Sequence, residues 1–239
     1  IFIGSSTADV IADGDGNTVI GKDAFGGVTG SDCDYNTAIG LDAMLGNSSS
    51  TGDYNVAVGY TALAGFTSGF EHVCLGYKAG LNMTSGNNNI AIGRSALEDA
   101  VTQSVCIAIG GYAGKNIEHN DASGTILIGY YAGQALTSGI GNVAIGHEAL
   151  AAEVDGDFST AVGYKALTTQ TGTAGLIGNV AVGYEAGKSG TTSRFNTSVG
   201  YLASTKVLTG DKNTVVGYEA LSAADGDENE NTVIGYNAM

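Results

Sequence analysis

Residues 55–63 read N-V-A-V-G-Y-T-A-L, and variants of this segment recur along the whole chain. Residues 36–44 read N-T-A-I-G-L-D-A-M, and residues 213–221 read N-T-V-V-G-Y-E-A-L. Each copy centres on a glycine that follows an aliphatic residue, and fourteen such anchor glycines occur at spacings of 17 to 20 residues. They are Gly4, Gly21, Gly40, Gly59, Gly76, Gly93, Gly110, Gly129, Gly146, Gly163, Gly183, Gly200, Gly217 and Gly235. Such a short period is typical of a solenoid in which each repeat forms one coil.

The three residues before each anchor predict a short β-strand. The first is Ile, Val or Thr, the third is Ile, Val or Leu, and none of the three is charged in any copy. Branched side chains fit a pleated surface, and 17 residues are too few for a strand and a crossover helix. We therefore expect an all-β, parallel β-solenoid of about fourteen coils that forms a single repeat domain over residues 1–239, with two brief strands in each coil.

Alternation along the strand places the first and third residues on one face and the middle residue on the other. Both faces are uncharged in every coil, so we expect one to line the coil interior and the other to contact further subunits, most simply in a homotrimer. We expect the aliphatic residue just before the anchor to form the core ladder. This ladder includes Ile20, Ile39, Val58, Ile92, Ile109, Ile145, Val162, Val182 and Val216.

The composition agrees with a solenoid and argues against several classes of partner. The 239 residues include 39 Gly and no Pro. Glycine suits a tight corner that needs positive φ or close backbone contact, and a strand with neighbours on both sides needs every N–H. The formal net charge of −15 disfavours nucleic acid and anionic membrane surfaces as partners. No apolar run approaches the roughly 20 residues that span a bilayer, so we expect no membrane insertion by this segment.

The aligned coils resemble the Asn-Ser-x-Ala-Ile-Gly coils of YadA-like trimeric autotransporter adhesin heads. They are also similar to the N-T-A-I-G-Y-x-A-L arrays of phage tail fibres, and the resemblance covers essentially the whole chain. It implies a β-roll that trimerises, with Ile39, Val58, Ile145 and Val216 in the coil core. The general rule for parallel crossovers is right-handed, whereas the resemblance implies a left-handed roll. An extracellular location, on a cell or virion surface, is implied as well.

Tyrosine follows the anchor in eight coils, and the last five of these are consecutive: Tyr164, Tyr184, Tyr201, Tyr218 and Tyr236. Such a column would stack at the coil spacing into an aromatic stripe. One interpretation is a platform for a glycan or a receptor, since amphipathic rings suit sugar faces. The alternative, which we favour, is a structural ladder at a coil corner or subunit seam.

Aspartate recurs six and eight residues before the anchor, and the candidate metal ligands in the first coils are Asp13, Asp15, Asp32, Asp34 and Asp53. Stacked carboxylates about 5 Å apart would repel one another, and Ca²⁺ would relieve this repulsion because it prefers oxygen ligands. Calcium is the one cofactor that the sequence suggests. The alternative is that these residues form turns and promote solubility.

The remaining polar columns indicate no chemistry. Asn stands four residues before the anchor in nine coils, where stacked amides can hydrogen-bond along the solenoid. The three cysteines, Cys33, Cys74 and Cys106, are expected to be buried thiols without a disulfide, since Cys74 and Cys106 lie two coils apart. The histidines do not share a plausible site, and no catalytic motif is found. We therefore expect no enzymatic activity.

The sequence favours a structural or adhesive shaft or head segment of a trimeric surface fibre. The chain begins inside a strand block and ends inside a coil, so we expect uncapped ends and a longer parent fibre. The first alternative is a filament subunit that stacks end to end. The second is a calcium-dependent carbohydrate-binding solenoid.

Overall fold

The computed structural model describes residues 1–5, 14–28, 33–118, 122–172, 175–223 and 226–239. The chain divides into two units, Ile1–Ser123 and Gly124–Met239, and each is described by itself. Within the described ranges the regular structure consists of parallel β-strands joined by turns, with no α-helix. The predicted all-β parallel solenoid is therefore confirmed, whereas the single domain over residues 1–239 stays a prediction.

The first unit contains seven strands, one for each coil. They are β1 (Phe2–Ile3), β2 (Thr18–Ile20), β3 (Thr37–Ile39), β4 (Val56–Val58), β5 (Val73–Leu75), β6 (Ile90–Ile92) and β7 (Ile107–Ile109). Each strand pairs in parallel with the next, and each ends at the residue before an anchor glycine. The strand positions read from the sequence are therefore confirmed.

The second unit repeats this arrangement and adds one short ladder. Its coil strands are β8 (Ile126–Ile128), β9 (Val143–Ile145), β11 (Thr160–Val162), β13 (Val180–Val182), β14 (Thr197–Val199), β15 (Thr214–Val216) and β16 (Thr232–Ile234). The extra strands, β10 (Gly156–Asp157) and β12 (Gly175–Leu176), pair with each other. Among the described residues only these two coils carry a second named strand, so the expectation of two strands in every coil was wrong.

The ladders keep one register although the coils differ in length. Ala38 pairs with Ala57 across a spacing of 19 residues, and Ala161 pairs with Ala181 across a spacing of 20. The additional residues lie in the connections, where an insertion disturbs no strand pair. Every sequence column therefore becomes a row of side chains along its ladder.

The assignment of the two strand faces was wrong. The middle residue of the strand faces the interior: Ala38, Ala57 and Ala144 are fully buried. The nine residues predicted as the core lie on the opposite face, where Ile145 and Val182 are exposed and the other seven are half-buried. The seven half-buried ones are Ile20, Ile39, Val58, Ile92, Ile109, Val162 and Val216. We call this outer face, formed by the first and third strand residues, the aliphatic face.

The limited volume of the coil interior explains why the buried middle residue of the strand is usually small. The residues three and four after the anchor also face the interior, and pairs such as Ala24 with Phe25 and Ala43 with Met44 are fully buried. Where the fourth residue is glycine, the middle strand residue can be larger. A Cβ on Gly80 would lie 2.7 Å from Cys74 Sγ, and one on Gly133 would lie 2.6 Å from Leu127 Cδ2. The interior is thus filled by residues that compensate for one another's size.

The anchor glycines stand where no side chain fits. Gly76 has a φ of +135°, and a Cβ there would lie 2.8 Å from the carbonyl oxygen of Gly93, the anchor of the next coil. The same clash with the next anchor's carbonyl recurs at other anchors of both units, for example at Gly40 and Gly183, but not at Gly235, the last anchor. The requirement for glycine therefore has two causes, the positive φ and the neighbouring backbone.

Candidate functional site

The aromatic column after the anchors forms a continuous stack in the second unit, which we call the aromatic ladder. Its rings are Tyr130, His147, Tyr164, Tyr184, Tyr201, Tyr218 and Tyr236. Successive centroids are 5.0 to 5.7 Å apart, and the planes are nearly parallel from Tyr164 onward, within 13°. The predicted stacking is therefore confirmed. The anchor glycines of successive coils are in register, so the rings that follow them are separated by the spacing of the coils.

In the first unit the same column carries a shorter stack. Tyr60 and Tyr77 stack with centroids 5.4 Å apart. The next residue in the column is Arg94, whose guanidinium lies 5.6 Å from the centroid of Tyr77. Lys22 and Leu41 occupy the column in earlier coils. The extended ladder is therefore a property of the second unit.

The ladder presents ring edges to solvent. Tyr164, Tyr184, Tyr201 and Tyr218 are each 40% to 43% exposed, and each has an aromatic neighbour against both faces. A sugar stacks on an aromatic face, so this geometry disfavours the glycan platform at the inner rings. The accessible groups are the ring edges and the phenolic hydroxyls.

Charged side chains border the ladder one residue further along the chain. The Lys165 ammonium lies 3.3 Å from Glu148, and the hydrogen bond that it donates to this carboxylate raises the pKa of Lys165. A hydrogen bond to Glu219 raises the pKa of Tyr218. The pKa of Tyr184 is raised by desolvation and by the charge of Glu185. Both effects favour the neutral form of these two phenols.

The Asn column connects successive coils from within. Asn55 donates from Nδ2 to the carbonyl of Gly69 at 2.9 Å, and its Oδ1 accepts the N–H of His72 at 2.9 Å. The same pair of bonds recurs at Asn89, Asn142, Asn179 and Asn196. The structural interpretation of this column is therefore confirmed. Each side chain satisfies a backbone donor and a backbone acceptor that the short strands leave unpaired.

Two of the three candidate calcium ligands that the structure describes, Asp34 and Asp53, accept backbone N–H groups. Asp34 Oδ1 accepts the N–H of Asp15 at 2.7 Å, and Asp53 Oδ1 accepts the N–H of Asp34 at 2.8 Å. Asp13 and Asp32 lie outside the described residues. Among the described residues no group of three or more acidic, His or Cys side chains is placed to hold a metal ion. The calcium site thus stays a prediction, and its described members link one coil to the next.

The same link recurs later in the chain. Asp157 accepts the N–H of Ile140 at 2.8 Å, and Asp211 accepts the N–H of Arg194 at 2.7 Å. Asn87 takes the equivalent position and accepts the N–H of Phe70. A side chain six residues before the anchor therefore links neighbouring coils at each of these places.

The cysteines and His72 are buried. Cys33, Cys74 and Cys106 form no disulfide, as predicted, and burial raises the pKa of Cys74 to about 12, which keeps its thiol protonated. His72 replaces an Asn in the column, and its Nδ1 accepts the N–H of Asn89 at 3.3 Å. Desolvation lowers the pKa of His72 to about 4. His119 lies outside the described residues.

Sequence reasoning missed a buried acid, Glu153, whose side chain is fully buried in the second unit. Its Oε1 accepts the N–H groups of Val154 and Gly156, and its Oε2 accepts from Gln170 Nε2 at 2.6 Å. Gln170 in turn accepts from Asn179 Nδ2 at 2.8 Å. The signal was present in the alignment, because other coils carry Val28, Phe66, Met83 or Leu136 seven residues after the anchor. Donors on both carboxylate oxygens make this a structural network.

The fold and its columns define a β-solenoid repeat protein. No protein-family model, curated protein or solved structure matches the chain. In the part of the chain that the structure describes, no helix is long and apolar enough to cross a membrane.

Proposed function

We propose that the chain is a structural, non-catalytic segment of a homotrimeric surface fibre, on a cell or a virion, whose subunits associate through the aliphatic face. The observation that carries the proposal is the composition of this face. Its residues are Ile, Val, Leu or Thr in every coil, and they are half-buried or exposed in the single chain. A sheet face without charge that extends over seven coils of each unit is typical of a surface that another subunit covers.

A second copy of the same chain fits this face better than an unrelated partner. The face repeats one short pattern in register, so it presents the same surface at each coil and matches its own period. The acidic side chains of the net −15 chain lie elsewhere, in the connections and beside the aromatic ladder. Association through the aliphatic face therefore buries apolar surface without bringing these charges together.

The test is the mass of the chain in solution, measured by light scattering at micromolar concentration. We expect the mass of three chains, and a monomer would overturn the proposal. In the double variant Val58→Lys/Ile92→Lys, two half-buried residues of the aliphatic face become charged. We expect this variant to be monomeric with its β-sheet circular dichroism preserved.

The matched control places the same charges on exposed residues of the connections, in Val154→Lys/Leu208→Lys, whose side chains are 41% and 44% exposed. This control should retain the mass of the parent. If the control dissociates as readily as the face variant, net charge and not the aliphatic face governs assembly. Negative-stain images that show rods of unlimited length would favour an end-to-end filament instead.

A further inference from the structure

The tyrosine part of the aromatic ladder places five phenols in one uninterrupted row. The centroid distances are 5.2 Å from Tyr164 to Tyr184 and 5.0 Å for each later pair through Tyr201 and Tyr218 to Tyr236. All five rings reach solvent. Each phenol therefore has another phenol as its nearest aromatic partner, and the hydroxyl edges are open to a reagent.

Most of the cysteine and methionine side chains, which are also readily oxidised, are shielded. The chain has no tryptophan. Cys33, Cys74, Cys106, Met44 and Met83 are buried, whereas Met239 is exposed. A one-electron oxidant that approaches the second unit from solvent therefore meets tyrosine edges over most of the ladder.

We propose that the aromatic ladder is an oxidative cross-linking site at which tyrosines of successive coils couple to dityrosine and join the coils covalently. The oxidant is a haem peroxidase supplied with hydrogen peroxide. Both partners in each link belong to one chain, so the proposal does not depend on the trimer.

The chemistry balances with one peroxide for each link. Each of two neighbouring phenols gives one electron to the oxidised haem and loses its phenolic proton, which leaves two phenoxyl radicals. A carbon–carbon bond then forms between the two ring positions ortho to oxygen, and the hydrogens at these carbons return to the two oxygens. Hydrogen peroxide takes up the two electrons and two protons and becomes two molecules of water.

The geometry favours this coupling in two ways. Rings held about 5 Å apart on one scaffold react within the chain, which replaces an encounter between two molecules by a local rearrangement. The carboxylates of Glu185 and Glu219 also interact with the phenols of Tyr184 and Tyr218. Each can accept the phenolic proton as its ring loses an electron.

The experiment treats the full chain, in dilute solution, with peroxidase and limiting hydrogen peroxide. Dityrosine fluorescence measures the yield, and mass spectrometry of proteolytic peptides locates each link by the loss of two hydrogen atoms. We expect links within the chain between consecutive ladder tyrosines, with a yield per chain that does not change on dilution. Coupled chains should also unfold at a higher temperature, because each link closes a loop of one coil in the unfolded state.

Tyrosine-to-phenylalanine variants test whether the ladder carries the reaction, since phenylalanine keeps the ring stack and removes the reactive phenol. In Tyr184→Phe/Tyr201→Phe/Tyr218→Phe no two neighbouring phenols remain between Tyr164 and Tyr236. We expect the yield of links among residues 164–236, counted by mass spectrometry, to fall by at least about threefold. The control, Tyr54→Phe, removes one ring of the Tyr35–Tyr54 stack in the first unit and should leave the ladder links unchanged. An unchanged yield in the triple variant, or links found only between chains, would overturn the proposal.

Discussion

Ala91 and Ile92 are neighbours in β6, yet they lie in opposite environments. Ala91 is fully buried, whereas the larger and more hydrophobic Ile92 is half-buried on the aliphatic face. Hydrophobicity alone would place isoleucine inside. Volume decides which residue is buried in this narrow coil, because side chains such as Leu97 already fill the interior. The aliphatic face then lies outside the coil interior.

The largest difference in stability is expected when the same charge is placed on each side of the strand. Ala91→Asp puts an unpaired carboxylate into the coil interior and should lower the free energy of unfolding by at least about 4 kcal/mol. Ile92→Asp should cost the isolated chain about 1 kcal/mol, since its side chain already meets solvent. Urea unfolding, carried out at a concentration where the chain is monomeric, measures both. Equal losses would contradict the assignment of the two faces.

A second pair of variants probes the corner between strand and turn. Gly76→Ala combines a φ of +135° with a backbone clash against Gly93, and we expect a loss of about 4 kcal/mol. Gly235→Ala has nearly the same φ, +137°, but its Cβ would meet only Ala238, at 3.7 Å. Its expected loss is about 2 kcal/mol, from backbone strain alone. Denaturant midpoints for the two variants separate the cost of backbone strain from the cost of the clash with the next coil. Equal losses of unfolding free energy would show that the neighbouring coil adds no cost.

A third experiment uses pH to change the charge of a buried side chain, the imidazole of His72. The pKa of His72 falls from 6.5 to about 4 on folding, so the unfolded chain binds the proton first as the pH decreases. His72 therefore leaves stability unaffected above pH 6.5 and reduces it progressively below that, by on the order of 2 kcal/mol at pH 5.

His72→Asn supplies the amide that other coils have at this position and should abolish this part of the pH dependence. The measurement compares the free energy of unfolding of parent and variant from pH 7 to pH 5. Both proteins share the titration of the carboxylates, so the difference between the two curves isolates His72. Parallel curves would contradict the burial of a neutral imidazole.

The smallest change in stability is expected at an exposed position, five residues before the anchor. Val105 is 60% exposed and has a φ of +58°, a left-handed conformation that is unfavourable for a β-branched residue. Asn88 holds the same position in the preceding coil with a φ of +59°. Val105→Asn should stabilise the chain by about 1 kcal/mol, and Asn88→Val should destabilise it by a similar amount. Thermal unfolding of the two reciprocal variants checks the prediction, and changes of the same sign would contradict it.

Much of the fold could be predicted because its signals are periodic. The anchor glycines located every coil strand, and the alternation showed that Ile90 and Ile92 share a face. Which of the two faces points inward could not be predicted, because both faces of the strand are apolar. Alternation shows which residues share a face but not whether that face is buried. The second strand in every coil was also wrongly expected. Coils without this strand are linked in part by side chains, such as Asp53, which accepts the N–H of Asp34 in the preceding coil.

The candidate sites divide in the same way. The sequence by itself determined that Tyr184, Tyr201 and Tyr218 form a column and that stacking follows, because equal coils bring equal positions together. Only the tertiary structure decided that neighbouring rings cover one another's faces and leave the phenolic edges accessible. It also decided that Glu153 is buried with donors on both oxygens, and that alanine lies inside while isoleucine lies outside. The physical reason is that a repeat specifies which residues align along the solenoid, whereas the volume within one coil, filled by residues distant in sequence, selects which of them turn inward.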